Sequence, residues 1–445
     1  MVQDTTGSSW GPGAAPGGEL DSPASRRARV AWCLYDWANS SFPAVILTFV
    51  FAAYFTRGVA VNPVQGTGQW AFAMTVSALA VALASPVLGA IADRNGPRKP
   101  WLGFFSVVCI VATAALWFVR PHPDFLVLAL VLVAIANIAF ELGIVFYNAM
   151  LPEICPKGRL GRLSGWGWGL GYAGGLVCLL IILLGFVKAE ALPFGLDRAA
   201  AEDVRIAAPI AAAWFALFAV PLFLMVPDRA GTGIGAINAV REGFGQLAGT
   251  FRALRGRPGI LRFLIGRMIY TDGLNTLFIF GGVYAAGTWG MTEQEVILFG
   301  MLLNLTAGLG AAGFAWVDDW IGARRTILIA LVGLTVLGGA ILVVQIKLWF
   351  WIFGAALGIF FGPAQAASRS LMARIAPEEM RTEMFGLYAL SGKATAFVGP
   401  ALLGWVTVAA DSQRIGMATV LVFFAAGFVI LWPLRDPDRG DPTLV

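Results

Sequence analysis

The chain has 445 residues, 58% of them hydrophobic and 13% charged, with a mean hydropathy of +0.77 and a formal net charge of +5. Soluble domains carry about 25% charged residues, so the composition excludes a soluble globular protein and implies a polytopic protein embedded in the lipid bilayer. The positive residues fall in short loops between apolar runs rather than on one face, which argues against a nucleic-acid partner.

Residues 1–29 are rich in Gly, Pro, Ala and Ser and end in "SRRARV". They hold no apolar core of signal-peptide type, so a disordered tail is expected, with the first span acting as its own insertion signal. Twelve apolar runs then reach or approach the roughly 20 residues a bilayer core requires. They cover 30–56, 69–92, 100–120, 124–151, 163–187 and 206–227, then 259–287, 293–316, 325–346, 349–373, 383–408 and 414–434. Tryptophans near many ends (Trp32, Trp70, Trp101, Trp117, Trp289, Trp349, Trp432) suit interfacial belts. The expected organisation is a tail over 1–29, a six-helix bundle over 30–227, a linker over 228–258, a second bundle over 259–435 and a tail over 436–445.

The first span opens on "YDWANSSF", residues 35–42. An aspartate at mid-helix costs roughly 2.5–3.5 kcal/mol on insertion scales, so something must offset or use it. Asp36, Asn39 and Ser40 stand at i, i+3 and i+4 and share one helical face. That stripe should point away from lipid, to an aqueous pathway or to neighbouring helices. Further along, the loop "GAIADRNGPRKP" carries Asp93, Arg94 and Arg98, the fourth span carries Glu141, and the fifth carries Gly167, Gly171 and Gly175 as a small-residue packing face. The lone His122 lies in the turn "RPHPD", and Cys33, Cys109, Cys155 and Cys178 are scattered without a CxxC pair. No metal site is expected.

Lys and Arg placement sets orientation. The side holding the N-terminus collects 21 of these residues and the other side 7, while Arg267, Arg369 and Lys393 fall inside spans. Both termini are therefore expected in the cytoplasm, in the cell (inner) membrane. Within 228–258, Ile237, Val240, Phe244, Leu247, Phe251 and Leu254 recur at steps of three and four. They suggest an amphipathic helix lying on the membrane or packed on the protein's own underside.

The second half repeats the first. "AWVDDWIGARRT" follows the eighth span as "GAIADRNGPRKP" follows the second, so that Asp319 aligns with Asp93, Arg324 with Arg98 and Arg325 with Lys99. Pro377-Glu378 stands 225 residues after Pro152-Glu153. The seventh span holds "DGLNTLF", which matches "DWANSSF": Asp272 on Asp36, Asn275 on Asn39, Thr276 on Ser40. The two aspartates are expected to face each other's half across the pathway, about 10 Å and about 15 Å along their helices from Arg29 and Arg262.

"GAIADRNGPRK" resembles the G-x-x-x-D-R-x-G-x-R-K signature of the major facilitator superfamily; the second copy departs at Ala315 and Trp320. The resemblance implies twelve transmembrane helices in two parallel six-helix repeats around a central cavity, with Asp93 and Arg98 helping to latch one face. "WCLYDWANSSF", "VFYNAMLPEI" and "RMIYTDGLNT" further resemble the UMF1 family of Atg22-like vacuole effluxers, which implies a transporter rather than an enzyme. Intramembrane charges should pair. Asp36, Glu141 and Asp272 balance Arg267, Arg369 and Lys393, as a switching salt-bridge network or a site for a zwitterion; Arg267 can also snorkel to the interface.

The expected function is secondary active transport of a small polar solute, an amino acid or similar zwitterion, with Glu141 as the preferred proton carrier. The pathway set is Asp36, Asn39, Ser40, Glu141, Asp272, Asn275, Thr276, Arg369 and Lys393. The gate set is Asp93, Arg94, Arg98, Asp319, Arg324 and Arg325. Protons or Na+ are the candidate coupling ions, no cofactor is expected because the Gly-rich runs lack a nucleotide-loop context, and the chain should act as a monomer. Export or import of another small organic solute is the alternative, and a channel or membrane-embedded enzyme the alternative of a different class.

Overall fold

The computed structural model describes residues 23–231, Leu254 and residues 256–434. The proposed amphipathic stripe, apart from Leu254, and most of both tails lie outside the described residues. Among the described residues the chain forms twelve long helices: α1 Ser25–Val59, α2 Pro63–Asn95, α3 Lys99–Phe118, α4 Pro123–Ile154, α5 Lys157–Val187, α6 Glu202–Met225, α7 Pro258–Trp289, α8 Gln294–Ile321, α9 Ala323–Val343, α10 Lys347–Ile375, α11 Glu378–Ala410 and α12 Gln413–Leu431. Eleven are long and apolar enough to cross a membrane. The exception, α7, is long enough, but Asp272, Asn275 and its glycines dilute its hydropathy.

Local chemistry explains the irregular helices. In α1, Pro43 has no N–H, and its ring displaces the carbonyl four residues back. Regular turns therefore stop at Asn39, and wider turns take over at Phe42–Phe49 and Phe55–Val59. The repeated loop motif has a backbone reason: α2 and α8 end at Gly96 and Gly322, at φ +99° and +95°, which only glycine adopts without strain. The apolar run over 383–408 predicts one continuous span for α11. In the structure its helical parts are Arg381–Lys393 and Val398–Ala410, joined by turns over 394–397.

Helices α1–α6 and α7–α12 form the two halves. Within the first, α1 packs on α5 and α6, and α3 on α4 and α6; within the second, α7 packs on α12 and α11, and α9 on α10 and α12. The halves meet mainly through α5 with α8 and α2 with α11, aided by α10 against α5 and α11 against α4. The meeting residues lie toward one face, the arginine-rich face, to which the described ends of the chain also belong. There Ser85 donates to the Gly386 carbonyl at 3.0 Å, Ser164 to the Ala366 carbonyl at 2.7 Å, and Gly165 lies against Ala311 and Ala315. Large apolar side chains such as Phe72, Leu83, Val111 and Leu224 stay exposed, as lipid-facing surface requires.

Candidate functional site

The closed face is held by one arrangement built twice. Asp93, in the last turn of α2, accepts hydrogen bonds from the backbone N–H of Thr382 (3.1 Å) and Glu383 (2.9 Å), at the start of α11 in the other half. Asp319, in the last turn of α8, accepts from the backbone N–H of Gly161 (2.8 Å) and Arg162 (3.2 Å), at the start of α5. Each carboxylate thus satisfies orphan donors of a helix N-terminus and meets the positive end of its dipole. The repeat makes each half cap a helix of the other.

The bases differ between the copies. Arg98, 1% exposed, reaches Asp93 (3.5 Å), Glu153 (2.5 Å), the Thr382 hydroxyl (2.8 Å) and the Ala149 carbonyl (2.9 Å). Glu153 also pairs with Arg229 and with Arg381 at 3.6 Å. In the second copy the bases are Arg374, at the end of α10, 2.8 Å from Asp318 and 3.3 Å from Asp319, and Arg162 of α5, 2.7 Å from Asp319. Arg324 instead donates to the Leu431 and Trp432 carbonyls at the end of α12 in its own half. Arg324 is therefore not brought to the aspartates, contrary to the expectation: the loop turns it toward α12, while α10 brings Arg374 beneath Asp318 and Asp319. Arg94 and Arg325 are exposed.

Deeper in the molecule Asp36 meets Arg369 of α10 at 3.0 Å, across the two halves. Arg369 is 3% exposed, and its guanidinium also donates to the Ser164 hydroxyl (2.9 Å), the Ser164 carbonyl (2.7 Å) and Asn148 (3.4 Å). Its charge lies 4.8 Å from the Trp32 ring centroid, 5.8 Å from Tyr147 and 5.7 Å from Trp168, within cation–π range. Trp32 and Tyr147 are stacked and tied by hydrogen bonds to each other's backbones. Helix α5 comes this close because position 167 is glycine: a Cβ there would stand 2.5 Å from Asp36 Oδ2 and 2.8 Å from Arg369 Nη2.

A second pair crosses the halves. Lys393 Nζ lies 2.6 Å from Glu141 Oε1, with side chains 29% and 22% exposed. This pair is more accessible than Asp36–Arg369, whose side chains are 12% and 4% exposed. Arg267 stays in its own half, bonded to the Tyr388 carbonyl and to Ser391 (2.7 Å) and stacked on the Tyr388 ring at 3.4 Å.

The matched stripes have unlike surroundings. Asp36 reaches the opposite half, as the repeat suggested. Asp272, 2% exposed, does not; it is buried against α11 of its own half, beside Thr395, and Thr276 donates to its backbone carbonyl at 2.7 Å. The expectation that the two aspartates face each other's half is corrected for Asp272. The cause is the partner: moving Arg369 back by the 225-residue repeat offset lands on Ile144, which offers no charge. Asn39 is buried and Ser40 half-buried beside Gly171, while Asn275 is half-buried on α7. Sequence reasoning missed Arg374, Asp318, Ser164, Asn148 and the aromatic rings around Arg369.

The family model described as "Vacuole effluxer Atg22 like" matches residues 59–160 and 156–442. The chain is similar to an uncharacterized MFS-type transporter, YxiO, of Bacillus subtilis, at 27% identity over 418 residues, covering 92% of this chain and 95% of the relative. It is also similar to Autophagy-related protein 22 of Kluyveromyces lactis, at 23% identity, covering 77% of this chain and 74% of that one. It spans about half, 49%, of the Cryptococcus neoformans counterpart, at 22% identity over 61% of this chain. Among solved structures it superposes on the major facilitator superfamily transporter FucP in an outward conformation with TM-score 0.72, at 12% identity, covering 93% and 99% of the two chains. The proton:xylose symporter XylE gives TM-score 0.69 at 13% identity, covering 93% and 95%.

Proposed function

Because the chain belongs to the Atg22-like vacuole effluxer family, we propose that it is a secondary active transporter of a small zwitterion, of amino-acid type, working by alternating access and driven by an ion gradient. The observation that carries this reading is the stacking of two acid–base pairs across the halves, Glu141–Lys393 above Asp36–Arg369, over a closed face. A zwitterion carries the same two charges as either pair. Its carboxylate can take the base and its ammonium the acid, so cargo exchanges for the pair instead of entering a desolvated site unpaired. Breaking a cross-half pair loosens the halves, which links binding to rocking. The 21-to-7 bias of Lys and Arg supports a cytoplasmic arginine-rich face, so that the cavity opens outward in this state.

Ligand-dependent stabilisation tests the reading. Amino acids are expected to raise the melting temperature of the purified chain, while the matching amines without the carboxylate and acids without the ammonium leave it unchanged. Glu141→Gln should lose most of the rise. Equal stabilisation by a singly charged analogue would exclude zwitterion recognition.

A further inference from the structure

We propose that Asp272, Thr395 and the interrupted turn of α11 form a binding site for a small monovalent cation, with Na+ as the fitting ion. This rests on the ion-driven reading above and names the place of the ion within it. A buried carboxylate is kept charged only by a base, by several donors or by a cation. Its repeat counterpart Asp36 has Arg369 at 3.0 Å; Asp272 has no equivalent, since the matching position is Ile144. Among the described residues Asp272 Oδ1 is buried without a hydrogen-bond partner, and the side chain beside the carboxylate is the neutral hydroxyl of Thr395. A buried carboxylate oxygen left open beside a neutral hydroxyl calls for a positive group, which the hydroxyl oxygen can help to hold.

The backbone beside them is also oxygen-rich. Helix α5 runs unbroken over Leu160–Ile182 against α1, but its counterpart α11 is interrupted beside Asp272. Through the break, Ala396 N–H donates to the Lys393 carbonyl (3.3 Å) and Val398 N–H to the Thr395 carbonyl (2.7 Å), three residues back instead of four. The carbonyls of Gly392 and Ala394 are thereby released from the regular ladder. Carbonyl ends of interrupted membrane helices are suited to hold cations, and hard oxygen donors suit a hard ion. One carboxylate neutralises one charge, which favours a monovalent ion. Gly399 admits α7 at this level: a Cβ there would stand 3.0 Å from the Asp272 carbonyl oxygen.

The test is thermal unfolding of the purified full-length chain with NaCl replaced by choline chloride at constant ionic strength. Na+ should raise the melting temperature of the unaltered chain by roughly 2–4 °C, and Asp272→Asn should abolish the rise. Thr395→Val keeps the carboxylate and should raise the Na+ concentration for half effect roughly tenfold, the loss of one polar contact to a charge. No Na+ response in the unaltered chain, or an unchanged half-effect concentration in Thr395→Val, would overturn the site, whether or not Asp272→Asn folds. A Na+ response without any zwitterion response would keep the ion site and remove the cargo reading. A zwitterion response without Na+ would do the reverse.

Discussion

Arg369→Ala is expected to abolish transport and to lower stability by about 3–5 kcal/mol, the usual cost of removing one partner of a buried ion pair. The loss exceeds one contact because the guanidinium meets Asp36, Ser164 twice and Asn148, and lies among three aromatic rings. Arg369→Lys should fail nearly as badly, since an ammonium cannot span that fork of acceptors or stack in the same plane. Asp36→Asn leaves the cation in place and should be the milder change for folding, yet equally inactive. The charge-neutral double variant Asp36→Asn/Arg369→Gln should recover much of the stability and none of the transport. Chemical denaturation and uptake, measured on the same four proteins, separate the two roles. A stable and active Arg369→Ala would leave the pair with neither.

The second large effect is at the closed face. Asn in place of Asp93 or Asp319 keeps one acceptor oxygen and loses both the charge and the second backbone bond. Capping and dipole interactions are worth about 0.5–2 kcal/mol each, and every 1.4 kcal/mol is tenfold in an equilibrium. Asp93→Asn and Asp319→Asn should each move the population roughly fivefold or more toward a state open at this face. The double variant should add the two shifts, because the caps hold different helices. Ser85→Cys, in a chain whose native cysteines are replaced, is a suitable reporter: Ser85 is 1% exposed between α2 and α11. Labelling should rise for a reagent supplied to the cytoplasmic side and not for one supplied outside. Unchanged labelling would reduce both aspartates to helix caps without a gating role, and labelling from outside alone would reverse the proposed orientation.

Periodicity and hydropathy were enough for twelve spans, the repeat and the polar stripes on α1 and α7. The capping aspartates Asp93 and Asp319 were legible because their loop motif occurs twice and each glycine behind it answers to a positive φ. Partners were not legible. Asp36 and Arg369 are 333 residues apart, and only the docking of the two halves brings them together. Arg374 reads in the sequence as one more loop cation, like Arg324; what distinguishes them is that α10 buries Arg374 under Asp318 while Arg324 turns to α12. Identical letters also concealed unlike chemistry: Asp36 and Asp272 share a motif, but one faces arginine and the other a broken helix. The linker's first residues read only as a boundary, yet Asp228 accepts the backbone N–H of Arg98 and Lys99 at 2.9 and 3.0 Å, which fastens the linker to the start of α3.

The central claim is that the halves carry a zwitterion between charge pairs that exchange partners. Counterflow in proteoliposomes tests it most directly, because it needs the two open states and the cargo but no ion gradient. Vesicles loaded with an unlabelled amino acid that stabilises the protein should transiently concentrate the labelled form from outside. The flux should saturate with concentration and vanish in Arg369→Ala. Flux that rises linearly without counterflow, or counterflow retained in Arg369→Ala, would contradict a carrier built on these pairs.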